Sequence, residues 1–221
     1  MAKGKIIGGG IGVAIVAIII LVYGTAQVED IPDSMKQIHG TIRTDMGSPI
    51  LGDPDAEITI VEFGDYQCHA CYNWFHNTKP PLLNEYINTG KVNFVFVDMA
   101  FLGRDSPVAA QATYCAEDQG KYWEYHNILY ESQEDRIDNG WASKERLKTF
   151  AFVLGLDTEL FDSCLDSKKY ERRVQNNTSE GRTFGVTGTP TFLIVSESGE
   201  EQKLVGQQPF AIFKRVIDSM I

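Results

Sequence analysis

The hydrophobic pattern is strongest near the start of the chain. Residues 6–23 form an unbroken run of eighteen apolar or glycine residues without a charge, and Lys3 and Lys5 precede it. A helix of about 17–25 such residues crosses a bilayer, and the lysines before it stay on the cytoplasmic side. We therefore expect residues 1–26 to be a single transmembrane anchor that places the remaining chain outside the cytoplasm. A cleaved secretory signal is the alternative, because the small residues 24–26 suit a signal peptidase.

The next segments alternate between turn-rich and strand-like patterns. Residues 27–56 contain several prolines and glycines between short apolar pieces, which is typical of a tether and lead-in. Residues 58–63 and 92–98 are rich in β-branched and aromatic side chains, and we expect them to pair as neighbouring parallel strands. A helical pattern lies between them, and we expect it to kink at Pro80 and Pro81, because proline removes a backbone donor.

The middle of the chain is helical throughout, and strand signals return near its end. Ser198 and Gly199 form a predicted turn between strand-like residues 191–195 and 202–205, and an amphipathic helix follows Pro209. The predicted helical pieces are 107–119, 121–133, 143–154, 157–165 and 168–184.

This order of elements predicts an α/β domain with a helical insertion. We expect residues 57–106 to be the first part of the domain, 107–184 an all-helical insertion and 185–221 the second part. The composition bears on the choice of partner. The formal net charge is -10, and every acidic residue lies at or beyond Glu29. Nucleic-acid affinity comes mostly from Lys and Arg on phosphates, so we expect no nucleic-acid partner.

Cys68, His69, Ala70 and Cys71 are the candidate chemical centre of the chain. They lie between the first predicted strand and the helix after it, so we expect Cys68 at a helix N-terminus. Free backbone N–H groups and the helix dipole favour a negative charge there, and a thiol in that position loses its proton more easily. Cys71 lies one helical turn further on, close enough to attack a mixed disulfide on Cys68. This arrangement is suited to thiol–disulfide exchange.

A metal site is the alternative interpretation of two cysteines with this spacing. Structural zinc normally uses four ligands, and the sequence offers no second close pair of cysteines. We therefore expect no metal at this site. We also expect no bound cofactor, because the two sulfurs of a redox pair hold the electrons themselves.

Three blocks of sequence, in this order, resemble the DsbA-like thiol–disulfide oxidoreductases. They are VEFGDYQC at residues 61–68, QGKYWEYH at 119–126 and GVTGTPTF at 185–192. The resemblance covers roughly residues 45–221. It implies an α/β, thioredoxin-like fold with an inserted all-helical domain, here preceded by a single transmembrane helix.

The resemblance also implies roles for residues outside the cysteine pair. The Thr189–Pro190 bond would be cis and packed against the cysteines, and the backbone beside Thr189 would pair with an extended segment of substrate. By itself, Pro190 would be interpreted as an ordinary trans proline that opens a strand. Glu62 matches the family's buried acid, which helps Cys71 to give up its proton, because burial raises the pKa of a carboxyl group. The alternative is that Glu62 is a strand residue facing water.

The residues between the two cysteines depart from the family pattern. Many members place proline after the first cysteine and an aromatic residue or histidine before the second, whereas His69 and Ala70 stand here. A protonated His69 beside the thiolate would stabilise it, and a more stable thiolate makes the disulfide a stronger oxidant. Both an oxidant and an isomerase are compatible with this sequence.

Cys115 and Cys164 each lie in a predicted helix of the insertion. In an exported protein, cysteines outside the redox pair are normally paired with each other. We therefore expect a structural disulfide between Cys115 and Cys164. Such a bond contributes about 2–4 kcal/mol by restricting the unfolded chain. Two separate buried thiols are the alternative.

Together these observations predict an extracytoplasmic enzyme that introduces disulfides into exported proteins with free cysteines. A substrate thiolate attacks Cys68, and a second substrate thiol resolves the mixed disulfide, which leaves Cys68 and Cys71 reduced. The resemblance implies a membrane partner that reoxidises the pair and passes the electrons to a quinone. The alternatives are a disulfide isomerase or reductase on the same scaffold and, more remotely, a non-catalytic module that delivers a metal or holds a substrate.

Overall fold

The computed structural model describes residues 47–221 of the 221-residue chain. The expected transmembrane anchor in residues 1–26 and most of the expected tether therefore lie outside the described residues. Within residues 47–221, no helix is long and apolar enough to cross a bilayer.

Four strands form one mixed sheet in the described part of the chain. They are β1 (Ile58–Gly64), β2 (Val92–Asp98), β3 (Thr191–Ser196) and β4 (Glu201–Val205), in the spatial order β2-β1-β3-β4. β1 and β2 are parallel, as predicted, whereas β3 runs antiparallel to both of its neighbours. The predicted hairpin between β3 and β4 is also present, and Gly199 supplies the positive φ of 84° that its turn requires.

The lead-in before β1 lies along the outer edge of β2. Ser48 N donates to Phe96 O over 2.8 Å, and Leu51 forms an antiparallel bridge with Phe94. The sequence predicted only a turn-rich tether here, because a pairing this short has no alternating pattern to reveal it. The lead-in occupies backbone groups of an edge strand that would otherwise be open to pairing with another chain.

Two α-helices and a π-helical segment connect β1 to β2. They are α1 (His69–Asn77), α2 (Lys79–Leu82) and the π-helical segment Leu83–Ile87. The predicted kink at Pro80 and Pro81 falls slightly earlier, at Thr78. Proline fits the first turn of a helix, where N–H groups have no intrahelical partner, so the two prolines begin α2 instead of bending α1.

Five helices lie between β2 and β3, as the sequence predicted, and one more ends the fold. They are α3 (Ser106–Glu117), α4 (Tyr122–Glu131), α5 (Lys144–Val153), α6 (Thr158–Asp166) and α7 (Glu171–Thr183), followed after β4 by α8 (Phe210–Met220). α3 packs against the other four helices of this group, and α7 packs against β2. α7 begins later than predicted, because Lys168 adopts a left-handed conformation with φ 57°.

A disulfide joins the insertion internally. Cys115 of α3 and Cys164 of α6 are bonded, with their Cα atoms 5.8 Å apart. The alternative of two separate thiols is therefore wrong. The bond ties helices that are 49 residues apart in sequence.

The sheet separates two hydrophobic clusters. Successive side chains of β1 point alternately into one cluster and the other. Ile60 lies in the larger cluster with Trp74 of α1, whereas Val61 and Phe63 lie in the smaller cluster on the other side. Successive side chains of a strand point to opposite faces. Glu62 therefore faces the same side as Ile60, beneath α1, and an acid is placed on an apolar face of the sheet.

Candidate active site

Cys68 follows the turn after β1 and is the N-cap residue of α1. Its backbone is extended, with φ -83° and ψ 116°, and its sulfur accepts a hydrogen bond from Cys71 N over 3.4 Å. The side chain of a cap residue satisfies the free N–H groups of the first turn. Cys68 is 7% exposed and Cys71 is fully buried, so the two sulfurs differ in their access to solvent.

The surroundings of the two thiols shift their pKa values in opposite directions. A hydrogen bond from the Cys71 thiol is the main reason why the pKa of Cys68 falls from 9.0 to about 6. Burial opposes this shift, and the Thr189 side chain and the N–H groups of Cys71 and Ala70 reinforce it. Burial raises the pKa of Cys71 well above its ordinary value. Near pH 7, Cys68 is therefore mostly a thiolate, and Cys71 is a thiol that donates to it.

The loop before β3 lies against Cys68. The Thr189–Pro190 peptide bond is cis, and Cys68 in its thiol form donates to Thr189 O over 3.3 Å. The Thr191 hydroxyl donates to Gly188 O over 2.7 Å. This hydrogen bond joins the residue before Thr189 to the residue after Pro190. The structure thus brings together Cys68, Thr189 and Pro190, as the resemblance implied.

Glu62 lies on the buried face of the sheet, close enough for its charge to act on both cysteines. It is 1% exposed, and its Oε1 has no hydrogen-bond partner among the described residues. Burial raises its pKa to about 8; the Lys79 ammonium opposes this shift and the charge on Cys68 adds to it. The alternative, that Glu62 faces water, is therefore wrong.

The described residues match known proteins over nearly their whole length. A family model for thioredoxin matches residues 44–218. The probable disulfide bond formation protein D of Bacillus anthracis is 32% identical over 148 residues, which cover 65% of this chain and 68% of that protein. The chain belongs to the DsbA-like thiol–disulfide oxidoreductases of the thioredoxin family. It is a protein disulfide oxidoreductase.

Solved structures agree with this assignment. Oxidised BdbD from Bacillus subtilis superposes with a TM-score of 0.74 at 26% identity, over 84% of this chain and 98% of that one. The α-DsbA1 protein of Wolbachia pipientis superposes with a TM-score of 0.69 at 27% identity, over 77% and 89% of the two chains. The predicted α/β fold, thioredoxin-like with a helical insertion, is confirmed.

Lys79 is a residue of this DsbA-like site that sequence reasoning missed. Its side chain is buried, and its Nζ lies 4.7 Å from the ring centroid of Phe75 and 5.3 Å from that of Trp123. Burial lowers its pKa to about 8, against the attraction of Glu62. A lysine in a helical pattern normally extends into solvent, so periodicity gives no sign of this position. One signal was available in the sequence, namely the two prolines directly after Lys79. They begin a new helix, so Lys79 does not continue the pattern of α1.

His69 lies at the surface of the oxidoreductase. Its side chain is exposed, and its ring stacks on that of Tyr72, with 5.8 Å between the centroids. The hydrogen bonds that stabilise the Cys68 thiolate come from Cys71, Thr189 and Ala70. A contribution from His69 would therefore act through charge alone, and it stays a prediction.

The two active-site sulfurs are free in this structure, which shows the pair in its reduced form. The site combines one stabilised thiolate, one buried thiol and one buried acid. That combination is what exchange between sulfurs requires, since one sulfur reacts while the other is kept from premature reaction. Within residues 47–221, no group of three or more His, Cys, Asp and Glu side chains is arranged to hold a metal ion.

We expect the reduced enzyme to contain a thiolate that titrates near pH 6. The ultraviolet absorbance of the thiolate should rise as the pH increases through about 6, because Cys68 loses its proton there and Cys71 does not. Cys68→Ser should lack this transition, and its remaining thiol should ionise only under alkaline conditions. A wild-type transition at the pH of an ordinary thiol would contradict this account of the site.

Proposed function

We propose that this oxidoreductase introduces disulfides into exported proteins, outside the cytoplasm, through Cys68-His69-Ala70-Cys71. The observation that carries the proposal is the unequal stabilisation of the two sulfurs. A stabilised Cys68 thiolate favours the reduced form of the pair. The oxidised form therefore readily oxidises the thiols of a substrate. The relative in Bacillus anthracis, whose name refers to disulfide bond formation, supports the same direction of exchange.

In the first step, a substrate thiolate attacks the sulfur of Cys68 in the oxidised enzyme. A new S–S bond joins substrate and enzyme, the Cys68–Cys71 bond breaks, and Cys71 leaves with the electron pair. Because burial disfavours a charge on Cys71, it takes up a proton. Glu62 is mostly protonated at neutral pH and supplies that proton, and Lys79 stabilises the carboxylate that remains.

In the second step, another substrate thiolate attacks the substrate sulfur of the mixed disulfide. Cys68 leaves as the thiolate that the first turn of α1 stabilises. An extended substrate segment pairs with the backbone beside Thr189, next to Pro190. The two electrons now reside on Cys68 and Cys71, and a quinone-linked membrane partner would remove them.

Equilibration with a glutathione buffer tests whether the pair is oxidising. We expect the Cys68–Cys71 bond to be reduced at much lower glutathione than the Cys115–Cys164 bond, because the stabilised Cys68 thiolate favours the reduced form of the first pair. Thiol alkylation and mass spectrometry identify which cysteines are free, and each shift of about 30 mV corresponds to about 1.4 kcal/mol. An active-site bond as resistant as the structural one would favour a reductant instead.

Glu62→Gln should slow reduction of the enzyme by a substrate thiol by roughly a hundredfold, because the leaving Cys71 loses its proton donor. In the wild type this rate, divided by the fraction of substrate thiol that is ionised, should fall as the pH rises through about 8, where Glu62 becomes a carboxylate. The fluorescence of Trp74, buried in α1, provides a means of following the reaction. Glu57→Gln, at an exposed position just before β1, is the matched control. Equal rates and pH profiles in both variants would remove Glu62 from the mechanism.

The proposed location rests on the apolar run 6–23 and on Lys3 and Lys5 before it. We expect the full-length protein, expressed in its host, to stay with the membrane during extraction with alkaline carbonate. Release of protein at native length would contradict the anchor. Release of a shortened form would instead indicate a cleaved signal.

A further inference from the structure

One face of α4 is directed at the turn after β1. His126 and Tyr130 are four positions apart, and Gln133 follows three positions later, just beyond the end of the helix. Residues with this spacing share one face. His126 Nδ1 lies 3.0 Å from the Tyr66 hydroxyl, and the Tyr130 hydroxyl donates to Asp65 O over 3.5 Å. The insertion therefore contacts the segment that leads into the reactive cysteine.

Gln133 makes the contact that reaches the cysteine itself. Its side-chain amide donates to the carbonyls of Tyr66 and Cys68, and the second of these bonds is 3.3 Å long. Only the NH₂ end of a glutamine can serve two carbonyl acceptors. Cys68 O also accepts from Tyr72 N over 3.0 Å, the first hydrogen bond of α1. Gln133 thus donates to the very carbonyl from which the helix starts.

The loop that carries Gln133 is fixed independently of that contact. Asp138 N donates to Gln67 Oε1 over 2.7 Å, and Gln67 Nε2 donates back to Asp138 Oδ1 over 3.0 Å. The same carboxylate accepts from Arg104 N and Asp105 N over 2.9 and 3.1 Å. Because these bonds hold the loop in place, the amide of Gln133 is positioned before any substrate arrives.

We propose that Gln133 is a positioning residue, which orients the Cys68–His69 peptide so that the first turn of α1 directs its N–H groups at the Cys68 sulfur. The N–H groups of Ala70 and Cys71 stabilise the thiolate only while the cap residue keeps its extended conformation. The amide dipole of Gln133 also places its positive end against the residue that carries the charge. The proposal rests on the proposed role of Cys68 as the thiol that reacts with substrate.

A purely structural tie would behave differently from a positioning residue. Loss of a tie lowers the free energy of unfolding of the oxidised and reduced enzyme by similar amounts. Loss of a group that favours the thiolate destabilises the reduced enzyme more, and the equilibrium between disulfide and dithiol moves with it. The distinction can therefore be measured in the redox equilibrium of the folded protein.

The experiment compares Gln133→Glu and Gln133→Met with the wild type, using the full-length purified enzyme. Methionine has a similar length and no donor, so it removes the hydrogen bonds without adding charge. The matched control is Gln119→Glu, because that amide also bonds backbone groups, those of Asp157, but lies far along the insertion. Three quantities are measured: the thiolate titration of Cys68, the equilibrium with glutathione, and the urea unfolding midpoint of each redox form.

We expect the pH midpoint of Cys68 to rise by about half a unit in Gln133→Met and about one unit in Gln133→Glu. The glutathione equilibrium should move toward the disulfide by roughly threefold and tenfold, whereas Gln119→Glu should change neither quantity. If Gln133→Met keeps the wild-type midpoint and equilibrium while both redox forms lose stability equally, Gln133 is only structural. A wild-type Cys68 that titrates as an ordinary thiol would overturn this inference together with the proposed function.

Discussion

A negative charge on the sulfur of Cys68 is the feature on which the rest of the structure depends. The first turn of α1 stabilises that charge only for a residue held in the cap position, so the turn before the helix must be fixed. Asp65 fixes it, since its carboxylate accepts from Gln67 N over 2.9 Å and from Phe101 N and Leu102 N over 2.9 and 3.0 Å. The same contacts connect the turn to the loop after β2, so the sheet determines where the sulfur lies.

Beneath the sulfur pair, a buried acid and a buried ammonium group act on each other through their charges. A buried carboxylate or ammonium alone would carry a large desolvation penalty. Glu62 reaches the interior because β1 alternates, and Lys79 reaches it because the helix breaks at Thr78. An acid on an apolar strand face and a broken helix therefore belong to one feature, a buried acid–lysine pair in which burial moves both pKa values to about 8.

The sequence predicted what local rules determine. Alternation and β-branched residues identified β1 and β2, helical periodicity identified the five insertion helices, and the strand–cysteine–helix order placed Cys68 at a helix start. Lys79 and Gln133 escaped prediction for a different reason. Both side chains belong to types that usually face solvent, and the contact from Gln133 to Cys68 spans 65 residues of sequence. Such contacts follow from how the insertion folds back over the active-site turn, which no local pattern encodes.

The Cys115–Cys164 bond makes the maturation of the enzyme depend on the chemistry that it carries out. A newly made chain has four thiols, and two of them must be oxidised before α3 and α6 are joined. The electrons must pass to an acceptor outside that new chain, either a finished copy or another carrier. Where the acceptor is a finished copy, mature enzyme accumulates at a rate that grows with the amount already present.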